Sequence, residues 1–78
     1  MRDTDQALAM VGRSIRRARR KLNISQEELS FRSGLHRTYV SDVERGARNL
    51  SFASLLAIAE GLGVAVSDLT YDIGPSEP

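Results

Sequence analysis

The chain has 78 residues, 41% of them hydrophobic and 27% charged, with no cysteine, one histidine (His36) and two prolines. This suits one small domain with a thin core and weighs against a deep enclosed active site, and it excludes disulfides, thiolate chemistry and Cys- or His-cluster zinc sites. The net charge is only +1, but it is segregated: Arg13 to Arg48 carries +6, residues 1–12 carry −1 and residues 49–78 carry −4. One half can therefore face a polyanion, nucleic acid above all, or simply be a solvated basic face. No apolar run approaches the ~18 residues of a membrane span, and Met1-Arg2-Asp3-Thr4-Asp5 lacks the order of a signal peptide, so a cytoplasmic location is expected.

The chain reads as all-α. Leu8, Val11, Ile15, Ala18 and Leu22 follow helical spacing and predict a first helix from about Gln6 to Lys21, capped by Thr4 or Asp5, with Gly12 as a weak point. Ile24-Ser25-Gln26-Glu27-Glu28-Leu29 predicts a second: Ser25 caps, Glu28 closes a capping box and Ile24 staples to Leu29. This helix should stop at Gly34, which takes a left-handed conformation without strain. A third begins at His36 or Arg37, turns Val40 and Val43 inward with Leu35, and ends before Gly46. Ser51 caps a fourth helix whose inner face is Leu55, Ile58, Ala59 and Leu62, up to Gly63. Ser67 caps a short fifth helix, and 74–78 should be a flexible tail on a core of about 8–72.

Two short helices joined by a glycine turn at Gln26–Arg45 form a helix-turn-helix, which projects its second helix outward to fit a DNA major groove. Ser30 holds the close-approach position where a small residue must sit. The run Ser25-Gln26-Glu27-Glu28-Leu29, then Gly34-Leu35-His36-Arg37-Thr38-Tyr39-Val40-Ser41-Asp42-Val43-Glu44-Arg45-Gly46, Arg48-Asn49-Leu50-Ser51 and Ala59-Glu60-Gly61-Leu62-Gly63-Val64 resembles the Cro/C1-type (xenobiotic-response-element) helix-turn-helix family over residues 8–70. Arg37-Thr38-Tyr39-Val40-Ser41 with Glu44-Arg45 and Arg48-Asn49-Leu50-Ser51 is similar to the controller proteins of restriction–modification systems.

The resemblance implies a five-helix, lambda-repressor-like DNA-binding domain. It implies a homodimer that binds palindromic operators upstream of its own gene and a neighbouring one, activating at low occupancy and repressing at high. Phage-like repressors, antitoxins and protein-docking modules share the same core. The chain departs from the common pattern at Ser30, where alanine is usual, and at His36, where Ser, Thr or Asp is usual; the poorer cap should loosen the start of the third helix until DNA holds it.

Candidate base contacts are Arg37, Thr38, Tyr39, Ser41 and Asp42. Arg37 sits at the positive end of a helix dipole, which disfavours a merely structural role, and its guanidinium can fork onto a guanine. Thr38 suits a thymine methyl or a phosphate, and Tyr39 either contacts DNA or packs on Arg48 or the core rim. Asp42 either accepts from a cytosine amine, pairs with Arg45, or repels phosphate. Backbone contacts are Gln26, which resembles the family's phosphate-binding residue, together with His36, Arg45, Arg48 and Asn49. By resemblance Arg19 pairs with Glu44 across helices, whereas Arg16, Arg17, Arg20 and Lys21 form either a solvated face or a DNA flank.

The expected dimer seam is Leu62, Val64, Val66, Leu69 and Tyr71, although these side chains, Leu62 and Leu69 above all, could instead close the core. RNA polymerase is a further possible partner, through Glu27-Glu28. No catalytic constellation is legible: His36 has no convergent nucleophile and there is no glycine-rich phosphate loop. No metal, cofactor, membrane or small-molecule ligand is expected, and regulation by concentration is the natural inference.

Overall fold

Five helices, joined by turns of three to seven residues, fill residues 3–73, the span that this computed structural model describes: α1 (Thr4–Lys21), α2 (Gln26–Ser33), α3 (Arg37–Glu44), α4 (Phe52–Leu62) and α5 (Val66–Thr70). The expected tail at 74–78 lies outside the described residues. Helix α1 packs on α3, α4 and α5, while α2 packs on α3 and α4, so α3 is held from two sides and its remaining face is left outward.

The five largest fully buried side chains are Ile15, Leu29, Val40, Ile58 and Leu69, one from each helix. Burying each is worth about 1.5–3 kcal/mol, and because every helix contributes one, no helix holds its place without the others. Val11, Val43, Ala59 and Leu62 complete this core, with Ile24, Leu35, Leu50 and Leu55 packed against it. Leu22, expected on the inner face of α1, is 45% exposed. The helix ends just before it, and the chain turns away at Asn23, which adopts a positive φ of 59°; asparagine tolerates that conformation better than most residues.

The start signals are made by other atoms than expected at two helices. Helix α1 begins earlier than Gln6, because Asp3 is its cap and its carboxylate accepts from the Asp5 amide at 2.9 Å. Helix α5 starts at Val66, so Ser67 lies inside it; the cap residue is Ala65, whose amide donates to the Asp68 carboxylate at 2.9 Å. The side chain three residues into a helix can satisfy an orphan amide even where the cap residue has no oxygen. Ser25 and Ser51 cap as expected, accepting from Glu28 and Ser54, each at 3.0 Å.

Gly12 is a contact point rather than a weak one. A Cβ there would lie 2.5 Å from the Val43 carbonyl oxygen and 2.7 Å from that of Glu44, so α1 rests directly on the last carbonyls of α3. Three residues earlier, Ala9 packs against Gly46, where a Cβ would come within 2.8 Å of the Ala9 Cα. These two contacts set the height of the C-terminal end of α3 above α1.

Gly12→Ala should therefore destabilise the domain. Alanine gains about 0.5–1 kcal/mol in helix propensity, but overpacking against backbone costs about 1–3 kcal/mol. We expect a lower melting temperature, by several degrees in a domain of this size; a value at or above wild type would show that α1 and α3 are not held at this spacing.

Candidate nucleic-acid interface

The turn between α2 and α3 fixes how the third helix is presented. Gly34 ends α2 at φ 73°, its amide donating to the Ser30 carbonyl at 2.9 Å. Ser30, where the family pattern has alanine, uses its hydroxyl: Oγ donates to the Leu35 carbonyl across the turn. Ser33 adds a second tie, its Oγ accepting from the Leu35 amide at 3.3 Å. His36 caps α3 with a ring nitrogen in place of the usual hydroxyl or carboxylate, Nδ1 accepting from the Thr38 amide at 3.2 Å.

With Val40 and Val43 buried, the outer face of α3 is set by helical spacing. Arg37 and Thr38 are exposed in the first turn, while Tyr39, Ser41 and Asp42 are half-buried along the helix. Arg37 forms no ion pair with any described residue. Its guanidinium thus stands at the start of an outward-facing helix with its donors uncommitted to any described carboxylate.

Asp42 behaves differently from a free base reader. Its carboxylate pairs with Arg45 and also lies 3.5 Å from the Arg48 guanidinium. Arg48 in turn lies over the Tyr39 ring, 4.9 Å from its centroid, a cation–π contact. Tyr39 packs both on Arg48 and against the rim of the core in the free protein. Asn49 is exposed in the same loop. These pairs are half-exposed, and such pairs are worth about 0–1 kcal/mol, so they orient the arginines without locking them.

Behind α3 lies a buried ionic cluster. The Glu44 side chain is fully buried, and Arg19 reaches it with two nitrogens, Nε to Oε2 at 2.6 Å and Nη2 to Oε1 at 3.0 Å. Arg19 also donates to the Ile24 carbonyl at 2.9 Å, which ties down the turn before α2. Gln26 Nε2 donates to Glu44 Oε1 at 3.1 Å, and Arg16 Nε lies 3.5 Å from the same oxygen. Burial pushes the Glu44 carboxyl up, but the hydrogen bonds from Arg19 and Gln26, the charge of Arg19 and the bond from Arg16 together hold it below its ordinary value. The hydrogen bond to Glu44 raises Arg19 in turn, against a smaller effect of burial.

The pairing of Arg19 with Glu44 is as the family resemblance implied, whereas the roles of Gln26 and Arg16 in it were not legible beforehand. Gln26 has two amide hydrogens and spends one on Glu44, so the other stays available at the N-terminus of α2, where helix amides favour an anion.

The comparisons with known proteins agree with this geometry. Residues 15–69 match the helix-turn-helix family model. Control protein C.BamHI of Bacillus amyloliquefaciens is 45% identical over 67 residues, which span 85% of this chain and 83% of that protein. The crystal structure of the restriction–modification controller protein C.AhdI from Aeromonas hydrophila superposes with a TM-score of 0.78 at 42% identity, covering 80% of this chain and 94% of that one. The controller protein C.Esp1396I, solved as a tetramer with its natural 35 base-pair operator, gives 0.73 at 41% identity, covering 76% and 78%. The chain belongs to the Cro/C1-type helix-turn-helix family, and its relatives there include restriction–modification controller proteins.

Within this helix-turn-helix protein two residues of the expected dimer seam take the alternative of closing the core. Leu62 and Leu69 are 3% and 1% exposed and belong to the monomer's core, so neither is free to face a second copy. Val64 and Val66 are half-buried against that core, and only Tyr71 is strongly exposed, at 69%. The apolar side chains that do stand out on α4 are Phe52 and Leu56, one helical turn apart. Neither was singled out in the sequence, although both fall off the spacing of the inner face, which is the signal that marks them. On α2, Glu28 is paired with Arg32 at 2.9 Å, while Glu27 and Phe31 are exposed.

The Glu44 carboxyl makes stability depend on pH with a definite sign. Because its value in the folded state is depressed, its contribution is full above the unfolded value of about 4.3 and is lost as pH falls through the folded value. Thermal melts from pH 7 down to pH 3 should show a falling midpoint, with a shallower fall in Glu44→Gln, which starts from a lower midpoint at pH 7. Identical slopes in the two proteins would contradict the role given to this carboxylate.

Proposed function

We propose that this protein is a sequence-specific, homodimeric DNA-binding transcriptional regulator, acting as the controller of a restriction–modification system in the bacterial cytoplasm. The observation that carries the reading is the outer face of α3. Arg37, which pairs with no described residue, heads a polar helix whose back is fixed by buried valines and by Glu44. A protein-docking helix would instead present an apolar patch. Its relatives support the controller assignment over a phage-like repressor or antitoxin, since C.BamHI and C.AhdI match over most of their own length.

In this reading α3 enters the major groove and Arg37 donates to O6 and N7 of a guanine, with Thr38 and Ser41 beside it on neighbouring bases or phosphates. Gln26 and the first amides of α2 hold one phosphate, and His36 holds another through the ring nitrogen not used in capping. The phosphate backbone replaces the Asp42 carboxylate as the partner of Arg45 and Arg48, with Asn49 beside them, and Tyr39 moves with Arg48. Asp42 then acts against wrong sequences, because wherever phosphate does not draw the arginines away its charge repels the strand.

One such unit contacts too few base pairs for specificity against a genome, and two related by a two-fold axis read half-sites about one helical turn apart. The seam we favour is the exposed pair Phe52 and Leu56 on α4, flanked by Val64, Val66 and Tyr71. Phe52→Glu with Leu56→Glu should sediment as a folded monomer at micromolar concentration; a dimer unchanged there would sink this seam. Any contact with RNA polymerase falls to Glu27 rather than Glu28, whose charge Arg32 already answers.

Fluorescence anisotropy on the DNA upstream of the protein's own gene and on a scrambled duplex tests the reading. Wild type should prefer the upstream DNA strongly, and Arg37→Ala should lose about 1–3 kcal/mol of that preference, with its melting temperature unchanged. Equal, weak binding to both duplexes whatever residue stands at 37 would favour a protein-docking role.

A further inference from the structure

Of the described arginines, Arg16, Arg19, Arg32, Arg45 and Arg48 lie within ion-pair distance of a carboxylate. Arg13, Arg17, Arg20 and Arg37 pair with no described residue. Arg37 heads the reading helix, and the other three stand together on α1, where they line one shallow groove with Arg16. Their spacing of three and four puts them on one face of the helix, opposite the buried Val11 and Ile15.

Helix stability does not account for this stripe. Like charges three and four residues apart repel, and the helix dipole favours a cation only in the last turn, which holds Arg20 but not Arg13 or Arg17. Nor is the stripe isolated from the reading head. Arg16, at its edge, shares the Glu44 carboxylate with Gln26, so the arginines run on from the N-terminus of α2.

We propose that Arg13, Arg17 and Arg20 form a second DNA-backbone site, which clamps phosphates of the duplex outside the bases read by α3. From Arg13 to Arg20 the helix rises about 10 Å, long enough for its three guanidinium groups to reach neighbouring phosphates of one strand. The inference rests on the DNA-binding reading and extends it. The stripe carries no sequence information, adds affinity to any duplex, and lengthens the DNA that one dimer covers.

The test uses the full chain with Arg13, Arg17 and Arg20 changed together to glutamine, on upstream and scrambled 40 base-pair duplexes between 50 and 300 mM salt. Each lost phosphate contact lowers the slope of log K against log salt by about 0.9. The triple variant should therefore show slopes shallower by about 2 to 3 on both duplexes, an unchanged ratio of upstream to scrambled affinity, and a melting temperature no lower than wild type. Should the triple variant fail to fold, each single variant should lower the slope by about 0.9. Slopes equal to wild type would overturn the proposal and leave the stripe to an acidic protein partner. That result is distinguishable from failure of the DNA-binding reading, in which wild type itself shows no salt-dependent binding and both fall together.

Discussion

The buried carboxylate of Glu44 is the constraint on which the rest of the molecule depends. It sits at the end of α3, receives Arg19 and Arg16 from α1 and Gln26 from the start of α2, and so joins three helices through two oxygens. A buried charge costs several kcal/mol in lost hydration, and removing one partner of a buried pair costs about 3–5 kcal/mol. The arrangement therefore has one good geometry and few near alternatives. Hydrophobic burial gathers the five helices, but apolar contacts tolerate small rotations. The directional bonds to Glu44, together with the backbone contact at Gly12, fix the angle at which α3 leaves the body.

Charge is handled in opposite ways behind and in front of α3. Behind it, the Glu44 carboxylate is buried and bonded on both oxygens, by guanidinium and amide donors. In front, Asp42 holds Arg45 and Arg48 in half-exposed pairs, and Arg48 rests on Tyr39. Weak pairs of this kind hold long side chains near one position without locking them there. Among the described residues Arg37 and the α1 stripe have no carboxylate partner, so the uncommitted positive charge is concentrated at the start of α3 and along one helix. A net charge of +1 conceals that distribution.

Most of the fold was legible because its punctuation is local. Ser25, Gly34, Ser51 and Gly63 act within four residues of themselves, and a capping oxygen or a left-handed glycine needs no tertiary information. What escaped depended on partners far along the chain. Gly12 reads as a flaw in a helix until Val43 and Glu44 are placed against it. Leu62 and Leu69 carry the same apolar pattern whether they face the core or a second copy, and only burial separates the two. The cap of α5 was misassigned because Asp68 reaches back to Ala65 from inside the helix, while Ser67 is the more familiar signal. The pairing of Arg19 with Glu44 followed from family resemblance alone, since 25 residues separate them and nothing in their spacing indicates contact.

The central claim is that a rigidly held α3 reads bases through Arg37. Its most direct test replaces the guanines of the upstream DNA one at a time with 7-deazaguanine, which lacks the N7 acceptor, and measures affinity for wild type and Arg37→Ala. One guanine in each half-site should cost wild type affinity when substituted, and the same substitution should cost the variant nothing further. Wild-type binding indifferent to every substitution, or a loss equally large in the variant, would contradict the account.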